Sequence, residues 1–213
     1  KIDDLAAVGD MLAEYGIPTV PEELAISREE AAAAAGRIGY PVALKACGAD
    51  ISHKTEMKLI ELNVADEKRL GQAFDALAER AGGQADGILV QEMARGEREL
   101  VAGLSRDVVF GPCVMFGFGG IYTELLSDVS FRVAPLEKRD ALEMLGEIRA
   151  AGMLDSFRGM PPVDRDALCE ILMALGRLGV EQRDVAEVDV NPLIITDSGP
   201  VAVDALVGIR VQD

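Results

Sequence analysis

The sequence predicts a mixed α/β (α+β) fold built from hairpin-paired strands, and three observations carry that expectation. Amphipathic helical segments with recognisable start and stop signals recur along the 213 residues. Short apolar or alternating runs, bounded by Gly and Pro, lie between them. The runs and the helices do not alternate regularly, which argues against a doubly wound βαβ array.

From Ile2 to Tyr15 apolar residues recur at helical spacing, and the segment stops at Gly16 with Pro18 just beyond. Ser27-Arg28-Glu29-Glu30 has the pattern of a capping box and opens an Ala-rich helix that ends at Gly36 or Gly39. An apolar strand follows at Val42 to Lys45, then a polar loop, then a strand from Leu59 to Val64. Asp66 to Arg80 is amphipathic and is closed by Gly82-Gly83. Strands are predicted at Gly87 to Met93, Glu99 to Leu104 and Val108 to Met115. Helices at Lys138 to Ala150 and Asp164 to Leu178 come next, and strands near Val185 to Val190, Leu193 to Thr196 and Val201 to Val203 close the chain.

Hydrophobic residues make up 49 % of the sequence and aromatics only 4 %, so the core must be built from Ala, Val, Leu and Ile. Asp and Glu outnumber Lys and Arg by 37 to 21, a net charge of −16. Such a surface repels phosphate backbones and anionic membranes, so neither nucleic acid nor membrane is an expected partner. A small anionic ligand would need its own local positive pocket. Cys47, Cys113 and Cys169 are far apart and odd in number, which fits free thiols in a reducing cytoplasm. No apolar run is long enough to span a bilayer, and the start Lys1-Ile2-Asp3-Asp4 has no leader character. Without an initiator Met, the chain reads as a trimmed fragment or one module of something longer.

Imidazole chemistry has one candidate, His53, in the run Asp50-Ile51-Ser52-His53-Lys54-Thr55-Glu56. The segment Phe116-Gly117-Phe118-Gly119-Gly120-Ile121 is either a tight turn or a place where backbone N–H groups meet an anion. Glu187, Asp189 and Asn191 alternate with Val188 and Val190, so the three polar groups share one strand face. With Asp204 on the neighbouring hairpin strand they gather hard oxygen donors of the kind Mg²⁺ takes. Lys45 ends an apolar strand, where it either snorkels outward or reaches into a cleft to hold a phosphate. Arg132 and Arg158 stand in loop contexts and read as ion-pair partners. Mg²⁺, one Lys, one His and glycines together suit phosphoryl transfer.

In order and spacing these motifs resemble the ATP-grasp module of nucleoside-diphosphate-forming acyl-CoA synthetases, relatives of the succinyl-CoA synthetase β subunit. The matching stretches are Tyr15-Gly16-Ile17-Pro18, Gly39 to Lys45, His53-Lys54-Thr55-Glu56, Phe110-Gly111-Pro112, Gly117 to Ile121, and Asp189-Val190-Asn191-Pro192-Leu193 with Asp204. The resemblance implies two lobes clasping ATP or ADP: residues 20–93 with the His loop and adenine hinge, and residues 1–19 with 94–213 carrying the glycine loop and Mg²⁺ site. It implies that Lys45 binds the nucleotide phosphates, that Gln91, Glu92 and Met93 form the adenine hinge, and that Glu99 contacts the nucleotide side. Gly119 and Gly120 belong to the phosphate-side loop, with Ser52 and Lys54 beside the nucleotide. Asn191 and Asp204 match the Mg²⁺ ligands, Asp189 a carboxylate near a phosphohistidine, and His53 a second phosphate carrier.

The implied reaction joins a carboxylic acid and CoA at the expense of ATP, giving acyl-CoA, ADP and phosphate. The CoA-binding domain with its own phosphohistidine is not in this chain, so it is the expected partner, and acid and CoA would reach the site through it. Lys58-Leu59-Ile60 stands where the family usually carries Gly-Gly-Val. Two glycines fewer stiffen that loop, which opens the alternative of a regulatory ATP-grasp domain, for instance one fused to an acyltransferase, that binds nucleotide without full turnover. Another ATP-grasp ligase would fit the fold but not the His-Lys-Thr-Glu run.

Overall fold

Two antiparallel sheets organise the chain, each inside its own unit. The structure is a computed structural model and describes residues 5–48, 59–119, 128–156 and 159–210. Among the described residues there are five α-helices and ten strands.

One unit takes Val20–Met93 together with Leu5–Ala7 near the start of the chain. Its four strands are β1 (Glu22–Ala25), β2 (Val42–Cys47), β3 (Ile60–Val64) and β4 (Gly87–Glu92), ordered β1-β4-β2-β3. Helices α2 (Arg28–Ile38) and α3 (Glu67–Ala81) cover one face. There Val42, Leu44, Ile88 and Val90 meet Ala31, Ala34, Ala35, Leu70 and Leu77 in a single apolar cluster. The small side chains of α2 let its backbone lie close to the sheet, which is how an aromatic-poor sequence fills its core.

The caps follow the predicted signals. Ser27 Oγ accepts from the Glu30 amide at 3.2 Å, while the Glu30 carboxylate takes the Ile26 amide, one residue earlier than a strict capping box. Asp66 accepts from the Arg69 amide at 2.8 Å, and Gly82 closes α3 in the left-handed region at φ 59°. Asp66→Ala is expected to cost about 1 kcal/mol. A lower urea midpoint at unchanged slope is the expected signature, and an unmoved midpoint would remove the cap from the account.

The other unit holds Val8–Thr19 and the chain from Ala94 onward. Its sheet runs β10 (Ala205–Ile209), β8 (Val185–Thr196), β5 (Arg98–Asp107), β6 (Gly111–Phe118) and β7 (Val129–Val133), with β9 (Gly199–Ala202) paired to the far end of β8. Leu100, Ala102, Leu104, Val114, Phe116, Val188, Val190 and Val207 point to one face. They pack there against α1 (Leu5–Glu14), α4 (Lys138–Glu147) and α5 (Arg165–Glu181). The opposite face is free of helices from the described residues and carries the odd-numbered positions of β5, β6 and β8 up to Asn191.

Several elements depart from the sequence expectations, each for a local reason. The predicted strand at Val108 starts only at Gly111, because the Asp107 carboxylate accepts from the amides of Val109 and Phe110 and turns the chain. The two predicted strands Val185 to Val190 and Leu193 to Thr196 are one strand, β8, with a bulge where Pro192 has no N–H for the ladder. Asp204 lies between β9 and β10 rather than at a strand end. Helix α4 ends at Glu147, not Ala150, since the Asp128 carboxylate takes the amides of Arg149 and Ala150. Arg132 sits on β7 rather than in a loop, and it pairs there with Glu147 and Glu143. Strands β1, β7 and β10 have no counterpart among the sequence expectations. Among the described residues no helix is long and apolar enough to cross a membrane, and all three cysteines are free thiols.

Candidate functional site

Strand register in the larger unit gathers carboxylates on the helix-free face. Gly103 of β5 stands opposite Asp189 of β8, and Leu206 of β10 opposite Asp189 on the other side. Antiparallel partners share a face, so Asp189, Glu187 and Leu206 lie together. The Asn191 amide donates to the Asp204 carbonyl at 2.9 Å, which extends the pairing and sets Asn191 opposite Asp204. The β8 bulge at Asn191-Pro192 re-aims this end of the strand.

The electrostatics agree with that crowding. The Asp189 carboxyl is pushed above the ordinary carboxylate range, first by partial desolvation and then by repulsion from Asp204 and Glu187. Room for the row comes from Gly208, where a Cβ would stand 2.6 Å from Cγ of Glu187. Asn191, Asp204 and Asp189 together present hard oxygens without a closed cage. No group of three or more His, Cys, Asp or Glu converges to hold a metal among the described residues. Such a set fits Mg²⁺, which keeps several waters and takes one or two protein oxygens beside phosphate oxygens.

Farther along the same face, Glu99 of β5 lies opposite the end of β6, and its carbonyl accepts the Gly119 amide at 2.8 Å. The glycines have a packing reason. A Cβ at Gly117 would stand 2.7 Å from the Asp128 carbonyl, and one at Gly119 3.2 Å from the Leu100 carbonyl. A side chain at Gly117 would collide and one at Gly119 would crowd the backbone of Glu99 and Leu100, so bare backbone runs beside β5 there.

In the smaller unit, Lys45 continues inside β2 instead of ending it, and it is only 4 % exposed. It pairs with Leu89 and Ile60, and it shares with Ala43 and Gln91 the face turned away from α2 and α3. Gln91 is buried and donates from Nε2 to Glu22 at 2.6 Å. The Glu92 side chain belongs to the opposite face. Met93 follows the end of β4. Leu59, in the place of a family glycine, is fully buried with Ala46 and Ala81, so packing explains it. Ser52, His53, Lys54 and Gly120 lie outside the described residues.

Sequence reasoning passed over two buried charges, Arg98 and Asp128. Arg98 had a signal: it occupies a core-facing position of an alternating strand, where a guanidinium is out of place unless its donors are used. Asp128 had none, because its partners are more than twenty residues away.

A family model described as an ATP-grasp domain matches residues 4–209. The β subunit of the ADP-forming acetate–CoA ligase I of Pyrococcus furiosus is 40 % identical over 201 residues, covering 92 % of this chain and 87 % of that one. The chain belongs to the ATP-grasp family of ADP-forming acetate–CoA ligase β subunits. Its ATP-grasp fold is shared with solved structures of acetyl-coenzyme A synthetase 1 from Ca. Korarchaeum cryptofilum. One, in complex with coenzyme A and Ca-AMPCP, has a TM-score of 0.92 and 42 % identity, covering 94 % of this chain and 90 % of that chain. Another, with coenzyme A and Mg-AMPPCP, has its phosphohistidine segment pointing towards the nucleotide-binding site; its TM-score is 0.84 at 42 % identity, over 93 % and 88 % of the two chains.

Proposed function

We propose that this chain is the nucleotide-binding module of an ADP-forming acyl-CoA synthetase, taking Mg·ATP or Mg·ADP and passing a phosphoryl group to a CoA-binding partner. Residues 20–93 serve as the N-terminal lobe and the remainder as the C-terminal lobe. The observation that carries the reading is the row Asp189, Asn191 and Asp204 on one sheet face, continuous with Glu99 and the bare backbone at Gly119. Asn191 and Asp204 would hold Mg²⁺, whose charge offsets that of the phosphates. Lys45 supplies a buried positive charge for the phosphates in a strongly acidic protein. Gln91, Glu92 and Met93 receive the adenine, Glu99 and Gly119 the nucleotide side, with Ser52, Lys54 and Gly120 completing the contacts.

Asp189 orients and balances an imidazole brought to the metal-bound phosphate, as a carboxylate behind a catalytic histidine does. His53 carries the phosphoryl group between sites. The partner is the CoA-binding, phosphohistidine-bearing subunit or domain, through which a small carboxylic acid and CoA enter. A cytoplasmic setting suits the free thiols. Incubation with γ-labelled ATP and the partner tests the relay. Acid-labile label on this chain is expected for the wild type and absent from His53→Ala. Label that persists in His53→Ala would sink the relay, and a wild type that never labels but binds Mg·ADP would favour the regulatory alternative.

A further inference from the structure

Asp128 and Arg98 are 7 % and 5 % exposed, and both direct their hydrogen bonds at backbone. Asp128 accepts from the Arg149 amide at 2.7 Å and from the Ala150 amide at 2.8 Å. Arg98 donates from Nη1 to the carbonyls of Met153 and Asp155 at 3.1 and 3.3 Å, and from Nη2 to that of Pro161 at 2.5 Å. All five partners fall in the connection between α4 and α5, which the two charges grip from the residue just before β7 and from β5. The Val163 amide closes the base of that connection on the Leu154 carbonyl at 2.8 Å. A buried ion is expensive unless its hydrogen-bonding groups are used, so opposite charges engaging the same short stretch need a reason.

Docking the helix does not supply one. Ser130, two residues along β7, already joins α4 through Oγ to the Met144 carbonyl at 3.1 Å, and Arg132 pairs with Glu147 on the same helix. What Asp128 and Arg98 have in common is their place in the sheet. Arg98 immediately precedes Glu99, and the Asp128 carbonyl is the atom that a Cβ at Gly117 would strike. Between them runs the Gly119 amide to Glu99 carbonyl bond. The braced end of the sheet is the end that carries the nucleotide-side groups.

We propose that Asp128 and Arg98 are positioning residues that hold two stretches of that connection, residues 149–155 and the Pro161 end, as a strap and thereby fix Glu99 and Gly119 for nucleotide. This rests on the nucleotide reading above. Asp128→Asn keeps the shape but turns one acceptor into an NH₂ facing an amide N–H. Arg98→Lys keeps the charge but lacks the planar fork that reaches three carbonyls. Ser130→Ala is the control, because it removes a buried bond between the same strand and α4 without touching the strap.

Calorimetric titration with Mg·ADP should show Kd raised about tenfold in Asp128→Asn and in Arg98→Lys, a loss of about 1.4 kcal/mol, and within twofold of wild type in Ser130→Ala. Hydrogen exchange at the Gly119 amide should quicken about tenfold in the first two variants and stay unchanged in the control, in line with lost local protection. Wild-type affinity and exchange in both strap variants, or equal effects in the control at matched stability, would overturn the brace. If Asp128→Asn does not fold, Arg98→Lys decides the matter alone. A wild type that binds no Mg·ADP would sink the nucleotide reading, whereas the Gly119 exchange rates would still decide the brace.

Discussion

Lys45→Met is expected to weaken Mg·ATP binding by about a hundredfold while leaving the protein folded. The lysine lies on β2, almost wholly buried, in a sequence whose net charge is −16. A buried ammonium is costly, and its positive charge is what an anionic ligand needs in such surroundings. Charge-assisted bonds of this kind contribute about 1.5–3 kcal/mol, and the upper part of that range corresponds to a hundredfold in Kd. Methionine has nearly the same length and no branch, so Leu89 and Ile60 keep their neighbour. Lys45 has a partner of its own in the fold, so removing one side of that buried interaction should lower Tm, and the titrations are run well below the variant's midpoint. Arginine is not expected to rescue binding, since its planar fork is wider than the seat a lysine fills. Calorimetry decides: affinity within threefold of wild type in Lys45→Met would remove the lysine from the phosphate site.

The features visible in the sequence were those set by local rules. Alternation placed Asp189 and Asn191 on one face, because the period of a strand is fixed by its pleat. Ser27, Asp66 and Gly82 announced helix ends through their own side chains or backbone freedom. The misses have one cause in common: a partner distant in sequence. Helix α4 reads on to Ala150 by periodicity, yet a carboxylate from residue 128 captures the amides that would have continued it. The bulge that joins two predicted strands into β8 depends on the register of β5 and on the missing N–H of Pro192. Lys45 gave two readings, and its burial rules out an ammonium directed into solvent, which alternation alone does not decide. Leu59 stands where the family usually carries glycine, and it is a core residue packed on Ala46 and Ala81.

Asp189→Asn is expected to gain stability and lose function. The Asp189 carboxyl titrates above its ordinary range, through desolvation first and then through the charges of Asp204 and Glu187. A raised carboxyl binds its proton more tightly in the folded state, so its ionisation opposes folding. That opposition is complete above the folded-state pKa, is relieved as pH falls through it, and vanishes below the unfolded value. The neutral amide removes the repulsion at pH 7. Because the side chain keeps a solvent-facing edge, screening reduces the gain to about 0.5 kcal/mol, or roughly 1–2 °C in Tm. The melts are run with EDTA so that no cation neutralises the row, and the difference from wild type should close in acid. Transfer of label from γ-labelled ATP with the partner present should meanwhile fall about a hundredfold or more, because the imidazole loses the carboxylate that orients and balances it. A variant no more stable than wild type at pH 7 would show that the row is not strained. One that labels at the wild-type rate would show that Asp189 does not serve the relay, and the two results are independent because one is read without nucleotide and the other with it.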